Sequence, residues 1–455
     1  MKLWILKDED VLPTTGWEDA FIIAVNREKA STAFSNVPKI WSRLKNFNLE
    51  EVYEDLFIIG LAVYSVDKRV SRREFADCWT RELEVCIPVI QYEIWEKTES
   101  KWNQLLSFLT GDHWVITFRK TNQVWKSCLC KRRSYTDISK NDCVSLFSGG
   151  LDSYCGAIRL LDEGKSPCLI GHNEYPKLRY KQEEFCNTFK TIYPLQHPMF
   201  ISFTAGARMP RKMSGEGLEG VENTSRGRSL LFLCTAVSIA GAMGEKIPVY
   251  IPENGFIGLN VALTNNRLGS CSTRTTHPAF LNALQDLLGE VGIYNPIENF
   301  FAFMTKREIV RLVKDSDAFL AHYMETISCS HPCQPRYARI GSREYPKNCG
   351  FCYPDIIRKS SLLDMPEDGN YRYDITPSQF LEQYGEYEIS ADLRAIVSSI
   401  YRYKHSNESD IRRLVWRTGK LKTDDILKYI RVYKEGMSDL KEWIDRDHNM
   451  GRYFE

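Results

Sequence analysis

Cys143-Val144-Ser145-Leu146-Phe147-Ser148-Gly149-Gly150-Leu151-Asp152-Ser153 is the stretch that decides how this chain folds. Its first five residues are apolar or small and read as a short buried strand. Beyond it, Cys155, Ile158 and Leu161 recur at helical spacing. Two adjacent glycines stand between strand and helix, and without a Cβ they let the backbone approach an anion closely. Backbone N–H groups opening the helix point at such an anion, and the helix dipole adds favourable charge. Ser148 and Ser153 contribute hydroxyl donors. Asp152 cannot bind phosphate directly, so its expected role is to hold Mg²⁺ or to fix the loop. A nearby look-alike fails: Gly164-Lys165-Ser166 resembles the end of a P-loop, but Arg159 stands where that pattern needs glycine.

Outward from this loop, strands are expected at residues 168–170 and 248–251, and helices at 181–190 and 228–243. Such alternation implies an α/β fold, a parallel sheet with helices on both faces. Ligands of open parallel sheets bind at the carboxyl ends of the strands. Residues 204–227 are rich in Gly, Arg, Lys and Ser, and read as a mobile loop and candidate lid. Three regions follow: an N-terminal α+β domain over 1–138, the loop-bearing domain over 139–365, and a C-terminal helical region over 366–455. In the first, residues 56–64 form a buried helix. Residues 83–89 form a strand with Pro88 near its end, and 115–118 a strand after the Gly111-Asp112 turn. In the last, 389–403 and 423–433 are the clearest helices, and Ser378 after Pro377 marks a helix start.

The 455 residues carry 60 Lys+Arg against 59 Asp+Glu, so no net field draws the chain to nucleic acid or anionic membrane. The Lys131-Arg132-Arg133 cluster reads as a solvated loop. No uninterrupted apolar run reaches the ~18 residues of a membrane span. Charge at Lys2, Lys7 and Asp8 comes too early for a signal peptide, which makes the cytoplasm the expected location. The 14 cysteines are then reduced core residues or metal ligands. Cys78, Cys86, Cys143, Cys155, Cys168, Cys186, Cys234 and Cys271 read as core thiols.

Cys329, Cys333, Cys349 and Cys352 form C-x₃-C-x₁₅-C-x₂-C, a spacing that can close a tetrahedral Zn²⁺ site. Asn348-Cys349-Gly350-Phe351-Cys352 looks like a zinc knuckle. The Ser148–Ser153 segment resembles the pyrophosphate loop of the PP-loop ATPases, which split ATP between the α and β phosphates and place AMP on a carboxylate, amide or carbonyl-type oxygen. Loop and cysteines together resemble the 7-cyano-7-deazaguanine synthase (QueC) family. In that family's C-x-x-C-x-x-C knuckle the last position is a cysteine, and here it is Asp355. The resemblance implies Cys329, Cys349 and Cys352 as ligands, with Cys333 or Asp355, less favourably His331, as the fourth, and a structural role for the metal.

Other segments extend the resemblance. Arg226-Gly227-Arg228-Ser229-Leu230-Leu231 is similar to the Arg-Asn helix start of the family. Glu253-Asn254-Gly255, Asn260 and Ser272-Thr273-Arg274-Thr275-Thr276-His277-Pro278 are polar loop groups suited to a small heterocycle. Glu253 can pair with a guanine-like N1–H and exocyclic amine, and Arg274 with the substrate carboxylate. His277 is more simply structural. The catalytic set so implied is Ser148, Asp152, Ser153, Arg228 and Arg274. The nucleotide contacts are Ser148, Gly149, Gly150, Leu151, Asp152, Ser153, Glu253 and Asn254, and the bound species ATP, Mg²⁺ and Zn²⁺. Tyr64-Ser65-Val66-Asp67-Lys68-Arg69, Trp79-Thr80-Arg81-Glu82 and Phe108-Leu109-Thr110-Gly111-Asp112 look like segments of the QatC proteins of the bacterial Qat anti-phage system, with the QueC-like proteins of type IV CBASS a close second. The resemblance implies ATP-dependent activation of a 7-deazaguanine carboxylate and transfer to an amine, in the defence relatives that of a QatB-like partner protein. A free-standing nitrile synthase using ammonia, a nucleotide-binding scaffold and a tRNA-modifying relative remain the alternatives.

Overall fold

The structure is a computed structural model and describes residues 1–8, 10–26, 31–45, 49–125, 135–175, 177–218, 220–222, 226–261, 274–337, 344–366 and 370–453. The first part of the chain forms β1 (Lys2–Lys7), β2 (Phe21–Val25), β3 (Ala33–Ser35), α1 (Val37–Trp41), α2 (Glu51–Arg69), β4 (Glu82–Val89), α3 (Tyr92–Trp95), α4 (Glu99–Thr110) and β5 (His113–Lys120). There follow β6 (Cys143–Leu146), α5 (Leu151–Asp162), β7 (Pro167–His172), α6 (Leu178–Ile192), β8 (Met199–Phe203), β9 (Ala205–Ala207), α7 (Gly227–Met243), β10 (Val249–Tyr250), α8 (Gly255–Leu259), α9 (Pro278–Glu290), β11 (Ile297–Glu298), α10 (Lys306–Val313) and α11 (Asp317–His322). The remainder is helical: α12 (Tyr353–Ser361), α13 (Pro377–Tyr384), α14 (Ala391–Lys404), α15 (Glu408–Trp416) and α16 (Ile426–Asp445).

The chain is α/β with two sheets. One runs β11-β10-β6-β7-β8 and is parallel throughout. Chain order moves outward from β6 through β7 to β8, then returns to the other side of β6 with β10. The crevice above the β6/β10 junction is therefore the topological switch point, where such sheets bind ligands. The other sheet runs β5-β4-β1-β2-β3-β9, parallel except for β9 on β3. Its β1 is hidden in the sequence behind charged ends. Lys7 is fully buried against Glu54 at 2.7 Å, so a core strand carries a lysine.

The two sheets are stitched together. After β8 a single residue, Thr204, carries the chain into β9 at the edge of the other sheet, with Asn36 Oδ1 accepting the Thr204 N–H at 2.7 Å. The described part of 204–227 continues along that sheet through a bridge between Ile22 and Arg211 and the Arg69 guanidinium on the Ala207 carbonyl. The lid expected there is instead a docked strap. One hydrophobic core joins Leu3, Ile23 and Leu56 to Val144, Val237 and Leu287, so packing runs straight across residue 138. Helix α7 leans on α2, and the Asp67 carboxylate accepts the Gly227 N–H at 2.8 Å, capping the start of α7. Arg81, fully buried, holds that carboxylate and Asp112 at 2.5 Å each.

The opposite face of the β6 sheet is covered by α5, α6, α10 and α11 around Tyr154, Phe185 and Phe319. The C-terminal helices have a core of their own, into which α8 inserts Phe256, stacked on Tyr433 at 6.1 Å. The loop after β10 is thus braced from behind by α16. Residue 378 lies one position inside α13, whose cap is Thr376 in a reciprocal bond with Gln379.

Candidate functional site

Strand β6 delivers the Ser148–Ser153 loop to the switch point. Gly149 has φ +83°, a left-handed backbone that favours glycine, and a Cβ there would press on Leu178 at 3.3 Å. Its carbonyl is pinned by the Ile327 N–H at 3.1 Å. Gly150 then caps α5 without any side-chain hydrogen bond, so among the described residues the first-turn N–H groups have no side-chain acceptor. The two serines close over this turn. Their hydroxyls lie 3.1 Å apart, Ser148 Oγ accepts the Gly150 N–H at 3.3 Å, and Ser153 donates to the Gly150 carbonyl at 2.9 Å. The strand–turn–helix arrangement expected around Ser148–Ser153 is present.

Asp152 lines the same cleft as the loop and belongs to a buried charge cluster. Its Oδ2 accepts from Asn254 Nδ2 at 2.7 Å, and its Oδ1 lies 3.3 Å from Lys306 Nζ. Asn254 also donates to Glu253 Oε1 at 3.1 Å and caps α8 through the Ile257 N–H at 2.9 Å. Burial, then the neighbouring Asp152 charge, push the Glu253 carboxyl well above its ordinary 4.5. Glu253 is thus tied to Asp152 and Asn254 rather than presented alone to a base. Lys306 was not among the residues read from the sequence. The signal was present as a helix start, since Thr305 and Glu308 form a capping box around it. Packing of α10 on α5 sets that helix start opposite Asp152.

The cysteines gather at the other wall. Ligand atoms of Cys329, Cys349, Cys352 and Asp355 all lie within 4.8 Å of one another. Backbone N–H groups point at the sulfurs: Cys349 and His331 at Cys329 Sγ, and Cys352 at Cys349 Sγ, each at 3.3 Å. Hydrogen bonds from Cys329 and Cys352, then from backbone N–H groups, hold the Cys349 thiol well below its ordinary range. Gly350, at φ +98°, makes the knuckle turn. Asp355 Oδ2 accepts the Cys349 and Gly350 N–H groups at 2.8 and 2.9 Å, whereas its buried Oδ1 has no partner among the described residues. Burial and the Cys349 charge raise the Asp355 carboxyl to about 6. Three sulfurs and one orphaned oxygen suit tetrahedral Zn²⁺. Of the two main candidates for the fourth position, the structure brings in Asp355. Cys333 stands outside the group and lines the cleft.

A cleft of about 750 Å³ runs from the glycine loop to the cysteine segment. Arg228 and Ser229, on the first turn of α7, line it, and Arg228 pairs with Glu174. Arg274 does not reach it. Its Nη1 donates to the Phe108 carbonyl at 3.0 Å and its guanidinium lies 5.0 Å over the Phe108 ring, so the expected grip on a substrate carboxylate is replaced by a tie to α4. Thr275 and Thr276 face the cleft in its place. His277 caps α9, Nδ1 accepting the Ala279 N–H at 3.1 Å, and Asn260 ends α8. Cys78 is exposed, whereas Cys86, Cys143, Cys155, Cys168, Cys186 and Cys234 are buried as expected. Lys131, Arg132, Arg133, Cys271, Ser272 and Thr273 lie outside the described residues.

Comparison with known protein families, curated proteins and solved structures finds no match for this chain. Among the described residues no helix is long and apolar enough to cross a membrane.

Proposed function

We propose that the chain is an adenylate-forming enzyme of the PP-loop type, which splits ATP to AMP and pyrophosphate. More narrowly, its substrate is a 7-deazaguanine carboxylate, passed after activation to an amine, the N-terminus of a QatB-like partner protein in anti-phage defence. The observation that carries this reading is the strand–Ser-Gly-Gly-Leu-Asp-Ser–helix unit at the switch point, with Lys306 and two carboxyl groups lining the open cleft beside it. A substrate carboxylate oxygen attacks the α-phosphorus, the bond to the β-phosphate oxygen breaks, and pyrophosphate leaves toward the N-terminal turn of α5. The amine then attacks the acyl carbon and AMP departs. Fixed N–H dipoles, Ser148, Ser153 and Lys306 stabilise the departing charge, a form of catalysis that needs no reorganisation. Asp152 and Glu253 are the groups to hold Mg²⁺, which when bound neutralises phosphate charge. A Zn²⁺ on Cys329, Cys349, Cys352 and Asp355 would tie the 326–330 segment to α12 and so fix the far wall of the cleft.

The test is incubation of the full chain with ATP, Mg²⁺ and 7-carboxy-7-deazaguanine, with either ammonia or the partner protein, reading AMP release and partner intact mass. AMP with a partner mass shift is expected. A nitrile product with an unmodified partner transfers the reading to the ammonia-using synthase, and no AMP under any condition leaves a nucleotide-binding scaffold.

A further inference from the structure

Helix α16 contributes no residue to the lining of the cleft, yet one face of it holds both segments that bring the charge cluster to the glycine loop. Val432, Gly436 and Asp439 recur at helical spacing and share that face. On one side, a Cβ on Gly436 would lie 2.3 Å from Phe256 Cδ2, and one on Gly255 would lie 3.2 Å from Val432 Cγ1. Gly255 and Phe256 directly follow Glu253 and Asn254 in the chain. On the other side, Asp439 reaches the start of α10: its Oδ2 accepts from Thr305 Oγ1 at 3.1 Å and its Oδ1 from Arg307 Nη1 at 3.2 Å. Lys306 stands between those two residues with its ammonium on Asp152. Phe256, Thr305, Lys306, Gly436 and Asp439 all meet around a cavity of about 10 Å³, room for a single water at most.

The Thr305 hydroxyl makes this contact specific, because it has one proton and two lone pairs. Asp439 takes the proton, which leaves a lone pair for the Glu308 N–H at 3.2 Å, the bond that caps α10. Arg307 is shared by Asp364, Asp439 and Glu442, and of these three Asp439 is the one that also holds Thr305. Asp439 therefore grips the residues on either side of Lys306. Sliding α10 by the rise of one residue, ~1.5 Å, is enough to part an ammonium and a carboxylate now 3.3 Å apart.

We propose that Asp439 is the positioning residue of the charge cluster: it sets the first turn of α10 so that Lys306 meets Asp152, and through it the C-terminal helices become a working part of the site. The inference names the element that controls the cluster, and it rests on the proposed function only for the reaction that the cluster serves. Asp439 itself does not line the cleft, so its effect passes through Thr305 and Arg307.

Amine acylation of the full chain, read lysine by lysine by peptide mass spectrometry, tests the placement without turnover. Native Lys306, 5 % exposed and paired, reacts slowly; Lys120, 60 % exposed on β5, is the internal reference. Asp439→Asn keeps the size but turns an amide NH₂ toward Thr305 or Arg307, and Thr305→Val removes the hydroxyl. In each variant Lys306 acylation relative to Lys120 rises roughly 10–100-fold, the expected consequence of losing hydrogen bonds to a charged group. Thr305→Ser, which restores the hydroxyl, returns to within about threefold of native. In Asp439→Asn the kcat for AMP formation falls by roughly 10–100-fold while the KM for ATP stays within about twofold, because Lys306 acts on the departing charge. Native Lys306 reactivity in both Asp439→Asn and Thr305→Val overturns the proposal, and so does a Thr305→Ser variant as reactive as Thr305→Val. An equal rise at Lys359, which lies over Phe351 on α12, means general loosening of the C-terminal helices and overturns it too. A native chain that forms no AMP but whose Lys306 responds as described sinks the proposed function and leaves the positioning standing. Equal kcat in native and Asp439→Asn chains sinks the positioning and leaves the function.

Discussion

Asp152→Asn is the sharpest probe of the charge cluster behind the loop, because the cluster can absorb it. In the native chain Lys306 faces Asp152 at 3.3 Å, and burial, then the Asp152 charge, raise the Glu253 carboxyl well above its ordinary value. Removing the Asp152 charge removes one of those causes and leaves Lys306 to lower the Glu253 pKa, so Glu253 supplies the negative charge opposite Lys306 in its place. An amide oxygen at position 152 still accepts from Asn254. The expected destabilisation is therefore about 1 kcal/mol or less. Lys306→Met has no such remedy, since it strands a carboxylate only 8 % exposed beside an acid. Breaking a buried pair costs roughly 3–5 kcal/mol, and about 3 kcal/mol is expected, or on the order of 100-fold faster amide exchange in peptides over residues 149–158 and 252–259. The pH dependence gives a second readout. A carboxyl with a raised folded pKa binds more protons folded than unfolded above 4.5, so its contribution falls as pH rises through the folded value. Native opening free energy should decline with pH in that window, and Asp152→Asn should flatten the slope. Both variants lower AMP formation by about 100-fold or more. The reasoning is refuted if Lys306→Met exchanges within twofold of native, or if Asp152→Asn is as damaging as Lys306→Met. Asp152→Ala is the poorer test, since it removes the Asn254 acceptor as well as the charge.

Two further outcomes are expected. The purified chain carries one zinc, and Asp355→Ala loses it to a chelator at roughly 10–100-fold lower competitor than native, whereas Cys333→Ser retains it; equal retention in all three would return Asp355 to a purely structural carboxylate. Gly156→Ala sets a Cβ 2.4 Å from the Pro252 Cβ, so α5 and the loop after β10 must part, costing about 1–3 kcal/mol by thermal unfolding and reducing AMP release through displacement of Glu253.

Much of the site was legible because its signals are local. A strand, two glycines and a helix are contiguous, and the Gly350 turn between Cys349 and Cys352 needs no distant partner. The long elements were legible for the same reason: α2 and α7 are apolar over many turns. What failed was whatever depends on a residue far along the chain. β1 was not read as a strand, since burial of Lys7 depends on its pairing with Glu54, 47 residues away. Arg274 looked free to meet a substrate until Phe108 was set beneath it. The polar stretch after β8 looked like a lid, yet its described part pairs along the edge of another sheet.

The sequence by itself therefore determined the loop, the knuckle and the α/β alternation, since each is written in neighbouring residues whose backbone preferences and spacing act alone. Tertiary structure decided which groups meet. It set Lys306 and Glu253 around Asp152 and chose Asp355 over Cys333. The physical reason is that charge state, ligation and hydrogen-bond satisfaction depend on distances of a few ångströms between segments that only packing brings together.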